Sequence, residues 1–255
     1  MEVKLTKNAK EFLVFSYFGI TEDELKGKDA KDRIAMKCAE RAYRDMCRTL
    51  TFSEKMDGRT KEEKKNIEKK RKDFRGDICK LIVDNMLGEH SENIIGLFRC
   101  DKNDFCSNHE ELCKKIRNAA NEYPPKGNQK LLKKRNENDS MAFHYGQAQK
   151  WLNMTIKYMR MFDCFSKLMN DNDFENELHV PVDAYIITKA KEEFDINITN
   201  KPWSRWEIVD YTKFQKDLRK KLSDESPIKW EEKAWIEIAK EERDQENKNE
   251  HTYHR

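Results

Sequence analysis

The chain has 255 residues, of which 39% are charged, 37% hydrophobic and 10% aromatic. Its length suffices for one large domain or two small ones, and its aromatic content excludes a disordered chain. The 51 Lys and Arg residues nearly balance the 48 Asp and Glu residues, so the net charge of +3 does not by itself identify a nucleic-acid-binding protein. We expect a compact fold with long polar helix faces.

The compartment and the metal content are predicted from the N-terminus and the cysteines. The first residues are polar rather than a secretory signal, and no apolar run is long enough to span a bilayer. The seven cysteines are scattered over helical patterns, which favours reduced thiols in a cytoplasmic protein. One metal-like cluster lacks the CxxC spacing of structural zinc sites, so we expect free thiols, no metal and no cofactor, with zinc as the alternative. Its members are Cys100, Cys106, His109 and Cys113.

Periodic apolar positions predict helices along the whole chain, because eight glycines and five prolines leave few helix breakers. The segment "DAKDRIAMKCAERAYRDMCRTL" predicts an amphipathic helix with Asp29 as its N-cap. The segment "TKEEKKNIEKKRKDFRGDICKLIVDNML" begins almost wholly charged and ends apolar, so its first half should lie in solvent. Thr60 and Glu63 have the spacing of a capping box at its start.

The motif "YPPKGNQ" is the clearest break in the chain. It separates an N-terminal helical region, residues 1–125, from a C-terminal one, residues 126–255, unless the two form one continuous domain. A long helix is predicted from about residue 140 to residue 169, followed by helices at "AYIITKAKEEF", "SRWEIVDYTKFQKDLRKKL" and "PIKWEEKAWIEIAKEE". Strand patterns are short and rare, so the predicted fold class is all-α, a multi-helix globular domain. The long helix carries an apolar stripe that should pack in the core: Trp151, Met154, Tyr158, Met161, Phe165 and Leu168.

The first candidate site is the turn "FHYGQAQK", where Gly146 stands at the start of the long helix. Glycine lets the backbone turn tightly and approach a ligand closely. The free N–H groups of the first helical turn suit a phosphate, and Lys150 would stand near that anion.

The second candidate site is "HVPVDAYII", where Asp183 has the position of an N-cap and Pro181 restricts the approach of the chain. One long helix and one loop separate Lys150 from Asp183, so both can lie at the same end of a helix bundle. A lysine beside a carboxylate can act as an amine nucleophile that forms a Schiff base. A capped helix without chemistry is the alternative interpretation of this motif.

Taken together, the two motifs resemble the helix-hairpin-helix DNA glycosylases, and are most similar to the archaeal-type 8-oxoguanine glycosylases. The likeness covers residues 140–195, with "QKWLNMTIKYM" and "HVPVDAYI" as the matching segments. The resemblance implies an all-α fold with a hairpin turn at residues 143–149, a nucleophilic Lys150 and a partner carboxylate on Asp183. It departs from the usual hairpin in having the single glycine Gly146, with larger residues before it.

The resemblance also implies a mechanism on DNA. A modified nucleotide is flipped from the stack, Lys150 attacks the anomeric carbon as the base leaves, and Asp183 stabilises the oxocarbenium-like state. The imine then permits strand cleavage by β-elimination. Trp203 and Trp206 are further candidates for gripping the base. The predicted substrate-binding residues are Phe143, Tyr145, Gly146, Gln147, Gln149, Trp151, Asn153 and His179.

Two other functions fit the sequence. A non-catalytic nucleic-acid or nucleotide-binding protein would use the same polar cluster together with a basic segment that can contact phosphates. A helical interaction protein, for instance one acting in phage–host conflict, would instead bind a protein partner. The basic segment comprises Lys114, Lys115, Arg117, Lys126, Lys130, Lys133, Lys134 and Arg135.

Overall fold

The computed structural model describes residues 4–88, 96–126, 129–171 and 174–253. The all-α prediction is confirmed, since nine α-helices and no strand are found over these residues. An isolated bridge between Phe52 and Leu132 is the β-type pairing found there. The first four helices are α1 (Lys7–Phe18), α2 (Ala30–Met46), α3 (Lys61–Leu87) and α4 (Phe105–Glu122). The others are α5 (Tyr145–Met159), α6 (Asp163–Asp171), α7 (Ala184–Phe194), α8 (Ile208–Leu222) and α9 (Pro227–Tyr253).

The two predicted N-caps of α2 and α3 are in the right positions, but only the N-cap of α3 makes the capping hydrogen bonds. The Thr60 hydroxyl accepts from the N–H of Glu63, whose carboxylate accepts from the N–H of Thr60, so the capping box of α3 is confirmed. Asp29 does occupy the N-cap position of α2, but its side chain makes no capping hydrogen bond.

The single long helix predicted over residues 140–169 is wrong, because the structure divides it into α5 and α6. After Met159 the chain tightens into a turn in which the N–H of Met161 bonds the carbonyl of Tyr158. The turn rotates the apolar stripe, so Met161 is 60% exposed whereas Trp151, Tyr158 and Phe165 lie in the core. The helix-hairpin-helix-like turn is not confirmed, since α4 ends at Glu122 and no helix occupies the described residues between it and α5.

Helix α5 is the central element of the core. Every one of its residues except Lys157 is buried. It packs against α2, α4, α8 and a short 3-10 helix, Trp203–Arg205, so residues from both halves of the chain build one hydrophobic core. A helix buried on all sides must satisfy its polar side chains with internal partners.

Helix α1 is the least buried of the described helices, since none of its residues is buried. Phe12 is 68% exposed and Phe15 is 54% exposed, so the helix presents apolar surface to solvent. None of the described helices is both long enough and apolar enough to cross a bilayer.

Candidate functional site

The backbone of residues 203–206 packs directly against the start of α5. The N–H of Gly146 donates to the carbonyl of Trp206 at 2.8 Å. A Cβ at Gly146 would lie 1.9 Å from the carbonyl oxygen of Trp203, so only glycine permits this approach. The N–H groups of Gln147 and Ala148 bond the carbonyl of His144. The expected phosphate site on free N–H groups is therefore wrong, because protein backbone occupies that position.

Gln147 and His144 hold this helix start in place. The Gln147 side-chain oxygen accepts from the N–H of His144 at 2.8 Å, and its amide donates to the Thr49 hydroxyl at 3.0 Å. The His144 ring lies 3.1 Å from a carboxylate oxygen of Glu207, at the start of α8. These contacts join α5 to residues from both halves of the chain.

The extended segment before α7 is held by amide side chains from two helices. Gln149 donates to the carbonyl of Val182 at 3.2 Å and accepts from its N–H at 3.3 Å. Gln215 of α8 makes the same two-way contact with Val180, whose carbonyl also accepts from Asn153. Amide groups are suited to this task because each carries a donor and an acceptor. The clamp positions the segment whose next residue is Asp183.

Lys150 and Asp183 form an almost buried ion pair. Lys150 Nζ lies 2.8 Å from Asp183 Oδ2, and the two side chains are only 5% and 16% exposed. Asp183 Oδ1 accepts the N–H of Ile186 at 3.0 Å, so the predicted N-cap of α7 is also confirmed. The expected proximity of the two residues is confirmed, and their catalytic roles stay predictions.

Tyr185 lies two residues after Asp183, in the first turn of α7, and presents its ring to solvent. Tyr185 is 38% exposed and donates to Glu242 at 2.9 Å, and Arg48 is exposed. The hydrogen bond to Glu242 raises the pKa of Tyr185, with Asp183 acting in the same direction and Arg48 in the opposite one. An exposed aromatic ring therefore lies in the first turn of the helix that Asp183 caps.

A second polar cluster is formed by side chains of α4, α5 and α8 together with His179. His109 Nε2 lies 2.6 Å from Asn153 Oδ1, and His179 Nδ1 lies 2.8 Å from the Tyr211 hydroxyl. The two histidine rings are 4.4 Å apart. Burial lowers the pKa of His109 to about 4 and holds that of His179 well below 6.5. Both rings are therefore neutral at pH 7.

The cysteines of the metal-like cluster form no disulfide. Cys113 Sγ lies 3.8 Å from His109, and Cys106 Sγ lies 3.5 Å from His179. Over the described residues no group of three or more His, Cys, Asp and Glu has the arrangement of a metal site.

The predicted aromatic contacts to a flipped base face the interior in this conformation. Phe143, Tyr145 and Trp151 are fully or almost fully buried, and the Trp151 indole donates to the carbonyl of Ala39 at 2.9 Å. Trp206 is also buried, where it lines a cavity of about 190 Å³ beside α8. Substrate contact by these residues, and by Gln147, Gln149, Asn153 and His179, stays a prediction.

Sequence reasoning missed Glu231 of α9, which is only 1% exposed. Its signal was available, since Glu231 shares a helical face with Ala234 and Ile238, three and seven residues later. A carboxylate at an apolar-periodic position is a candidate for a buried, functional group.

The chain matches no protein-family model, no curated protein and no solved structure. Its resemblance to the helix-hairpin-helix glycosylases therefore stays a prediction.

Proposed function

We propose that the protein is a DNA glycosylase and abasic-site lyase in which the Lys150 amine is the nucleophile and Asp183 its carboxylate partner. The chemical class of substrate is DNA that contains a damaged or modified base, with 8-oxoguanine as the first candidate.

One observation carries the proposal, namely the 2.8 Å contact between Lys150 Nζ and Asp183 Oδ2 in an almost buried setting. Burial of a lysine next to one carboxylate brings an amine and an anion together where water is largely excluded. Desolvation favours the neutral, nucleophilic amine of a lysine, and a nearby carboxylate can stabilise a developing cation. The partial exposure of Asp183 supplies the side from which a nucleotide can enter.

The reaction assigned to the pair has two stages. The free Lys150 amine forms a bond with the anomeric carbon while the glycosidic bond breaks, and its electron pair leaves with the base. Asp183 then lies next to the positive charge that develops on the sugar. Ring opening gives an imine on Lys150, from which β-elimination breaks the strand.

An exposed basic segment beside the start of α5 supports DNA as the partner. Among the described residues, Lys133, Lys134 and Arg135 are exposed and have no carboxylate partner. The segment is fastened near α5, because the N–H of Lys133 donates to the carbonyl of Thr51, two residues from the Thr49 that Gln147 contacts. Free cations in this position can neutralise phosphates of the strand whose nucleotide enters at Asp183.

The test is borohydride trapping on oligonucleotides that contain 8-oxoguanine or an abasic site. We expect a covalent protein–DNA adduct with the wild type and none with Lys150→Gln. Lys191→Gln is the matched control, because Lys191 is an exposed lysine of α7. A trapped adduct of equal yield in Lys150→Gln would show that another amine reacts and would refute the proposal.

A nucleic-acid-binding protein without chemistry is the second candidate, and the exposed basic segment favours it. Retained DNA binding with no trapped adduct in the wild type would decide for this function.

A further inference from the structure

The extended segment of residues 179–182 brings Asp183 to Lys150, and side chains of α5 and α8 hold its backbone. Gln149 of α5 accepts from the N–H of Val182 at 3.3 Å and donates to its carbonyl at 3.2 Å. These two contacts fix which end of the Gln149 amide is oxygen, since an N–H can only donate and a carbonyl can only accept. Val182 directly precedes Asp183, so the orientation of Gln149 bears on where the carboxylate lies.

The same reasoning fixes the amide of Asn153, one turn further along α5. Its nitrogen lies 3.2 Å from the carbonyl oxygen of Val180 and 3.1 Å from the side-chain oxygen of Gln149, and both of these atoms accept. The Asn153 oxygen therefore faces His109 Nε2 at 2.6 Å, and that ring nitrogen must carry the proton. The other nitrogen of this ring is left to accept, and Cys113 Sγ lies 3.8 Å from it.

The hydroxyl of Tyr211, in α8, continues this chain of hydrogen bonds to His179. It accepts from Asn153 Nδ2 at 2.8 Å, so its own proton points to His179 Nδ1, also at 2.8 Å. Because Nδ1 accepts, the proton of the neutral ring is on Nε2, 3.5 Å from Cys106 Sγ. Burial lowers the pKa of His179 well below 6.5, which keeps the ring neutral at pH 7. Tyr211 and Asn153 are each only 1% exposed, so these bonds lie away from solvent.

We propose that Tyr211 is a positioning residue for the pair of Lys150 and Asp183. Its hydroxyl joins α5, through Asn153, to the His179 ring at the start of the segment that ends before Asp183. A segment fixed at its start and along its backbone holds the carboxylate 2.8 Å from Lys150 Nζ. The consequence for catalysis rests on the proposed glycosylase and lyase function, whereas the placement of the carboxylate can be tested without it.

Tyr211→Phe is the variant that tests this role, because it removes the hydroxyl and keeps the ring. The ring continues to pack 5.4 Å from that of Tyr145, whereas His179 Nδ1 loses its donor. Tyr17→Phe is the matched control, since it removes a hydroxyl that lies 2.9 Å from the Tyr158 hydroxyl, where α1 meets α5. Circular dichroism of each variant confirms that its helices are intact.

The first arm of the test needs no DNA and begins with the imidazole of His179. Its ¹⁵N signals at pH 7.5 report which ring nitrogen carries the proton. We expect the proton on Nε2 in the wild type and in Tyr17→Phe, and a mixture of the two tautomers in Tyr211→Phe. A wild-type His179 with its proton on Nδ1, or a tautomer that Tyr211→Phe leaves unchanged, would overturn the inference.

Amide hydrogen exchange in the same proteins measures whether the segment loosens. The N–H of Val182 bonds Gln149, and the N–H of Ile186 bonds Asp183, so both report on the placement of the carboxylate. Relative to the N–H of Leu152 in the middle of α5, both should exchange about 10-fold faster in Tyr211→Phe, which is the order of one hydrogen bond. An unchanged ratio would show a loss of global stability alone and would overturn the inference.

The second arm measures borohydride trapping on DNA that contains 8-oxoguanine. Tyr211→Phe should lower the trapping rate at saturating DNA about 10-fold, because the carboxylate no longer has a fixed position beside Lys150. The DNA concentration that gives half of the maximal rate should stay the same, since the hydroxyl is buried and makes no contact with DNA. Tyr17→Phe should keep both values.

The two arms separate the failures. A wild type that forms the adduct, with Tyr211→Phe equal to it in rate, overturns the positioning role and leaves the function standing. A wild type that forms no adduct refutes the glycosylase and lyase function. The ¹⁵N and exchange data then decide by themselves whether Tyr211 sets the place of Asp183.

Discussion

Lys150 and Asp183 meet at 2.8 Å although 32 residues separate them in the chain, and the same aspartate caps the helix that follows. One carboxylate thus fastens α7 to α5 and neutralises an almost buried ammonium. The two tasks explain why the contact is structural as well as a candidate site.

The energetics of this pair can be measured by a double-mutant cycle of Lys150→Met and Asp183→Asn. Each single variant should lose about 3 kcal/mol or more of unfolding free energy in urea, because the remaining group stays buried without its partner. The double variant should lose less than the sum of the two. The exposed pair Lys213 and Asp217, 60% and 32% exposed, is the control, and its cycle should give less than about 1 kcal/mol. Additive losses at Lys150 and Asp183 would mean that the contact contributes nothing.

Gly146→Ala should destabilise the protein, because the new Cβ would lie 1.9 Å from the carbonyl oxygen of Trp203. Backbone must move on both sides, so we expect a loss of about 1–3 kcal/mol in thermal or urea unfolding. Gly76→Ala is the matched control within α3, where a Cβ would meet no atom within 4 Å. That change should stabilise by about 0.5–1 kcal/mol, since alanine is the better helix former. A Gly146→Ala variant as stable as the wild type would contradict the close contact.

The unfolding free energy should fall as the pH drops from 7.5 to 5.5. The folded pKa of His109 is about 4 and that of His179 lies well below 6.5, whereas both rings titrate near 6.5 in the unfolded chain. The unfolded state therefore gains protons in this window and the folded state does not, which costs about 1 kcal/mol for each histidine. Urea unfolding at both pH values measures the loss. The double variant His109→Gln, His179→Gln should lose less unfolding free energy than the wild type between the two pH values. A loss equal to that of the wild type would mean that other groups cause the pH dependence.

Binding to duplex DNA should weaken, and depend less on salt, when Lys133, Lys134 and Arg135 are changed to Ala. If each cation neutralises one phosphate, the slope of log K against log salt should fall by about 3. The control triple is Lys216, Lys220 and Lys221, which are exposed on the C-terminal half of α8, away from the α5 start that Glu207 contacts. Equal effects of the two triples would indicate nonspecific attraction alone.

Local sequence patterns predicted the helices well because helix formation depends on neighbouring residues. The periodic apolar positions of α2 and α3, the Thr60 capping box and the Asp183 N-cap all follow from contacts within a few residues. The break between α5 and α6 was missed, because apolar spacing continues through residues 160–162 and no glycine or proline interrupts it.

The sequence by itself determined an all-α chain, the start of α7 at Asp183 and the residue types that can form an amine–carboxylate pair. Only the tertiary structure decided which polar groups are free. Gly146 meets the backbone of Trp203, and Gln149 clamps Val182, so neither faces a phosphate. Glu231 of α9 pairs with Lys157 of α5. These contacts join residues far apart in the chain, and a buried polar group takes whichever partner the packing brings to it, which no local pattern specifies.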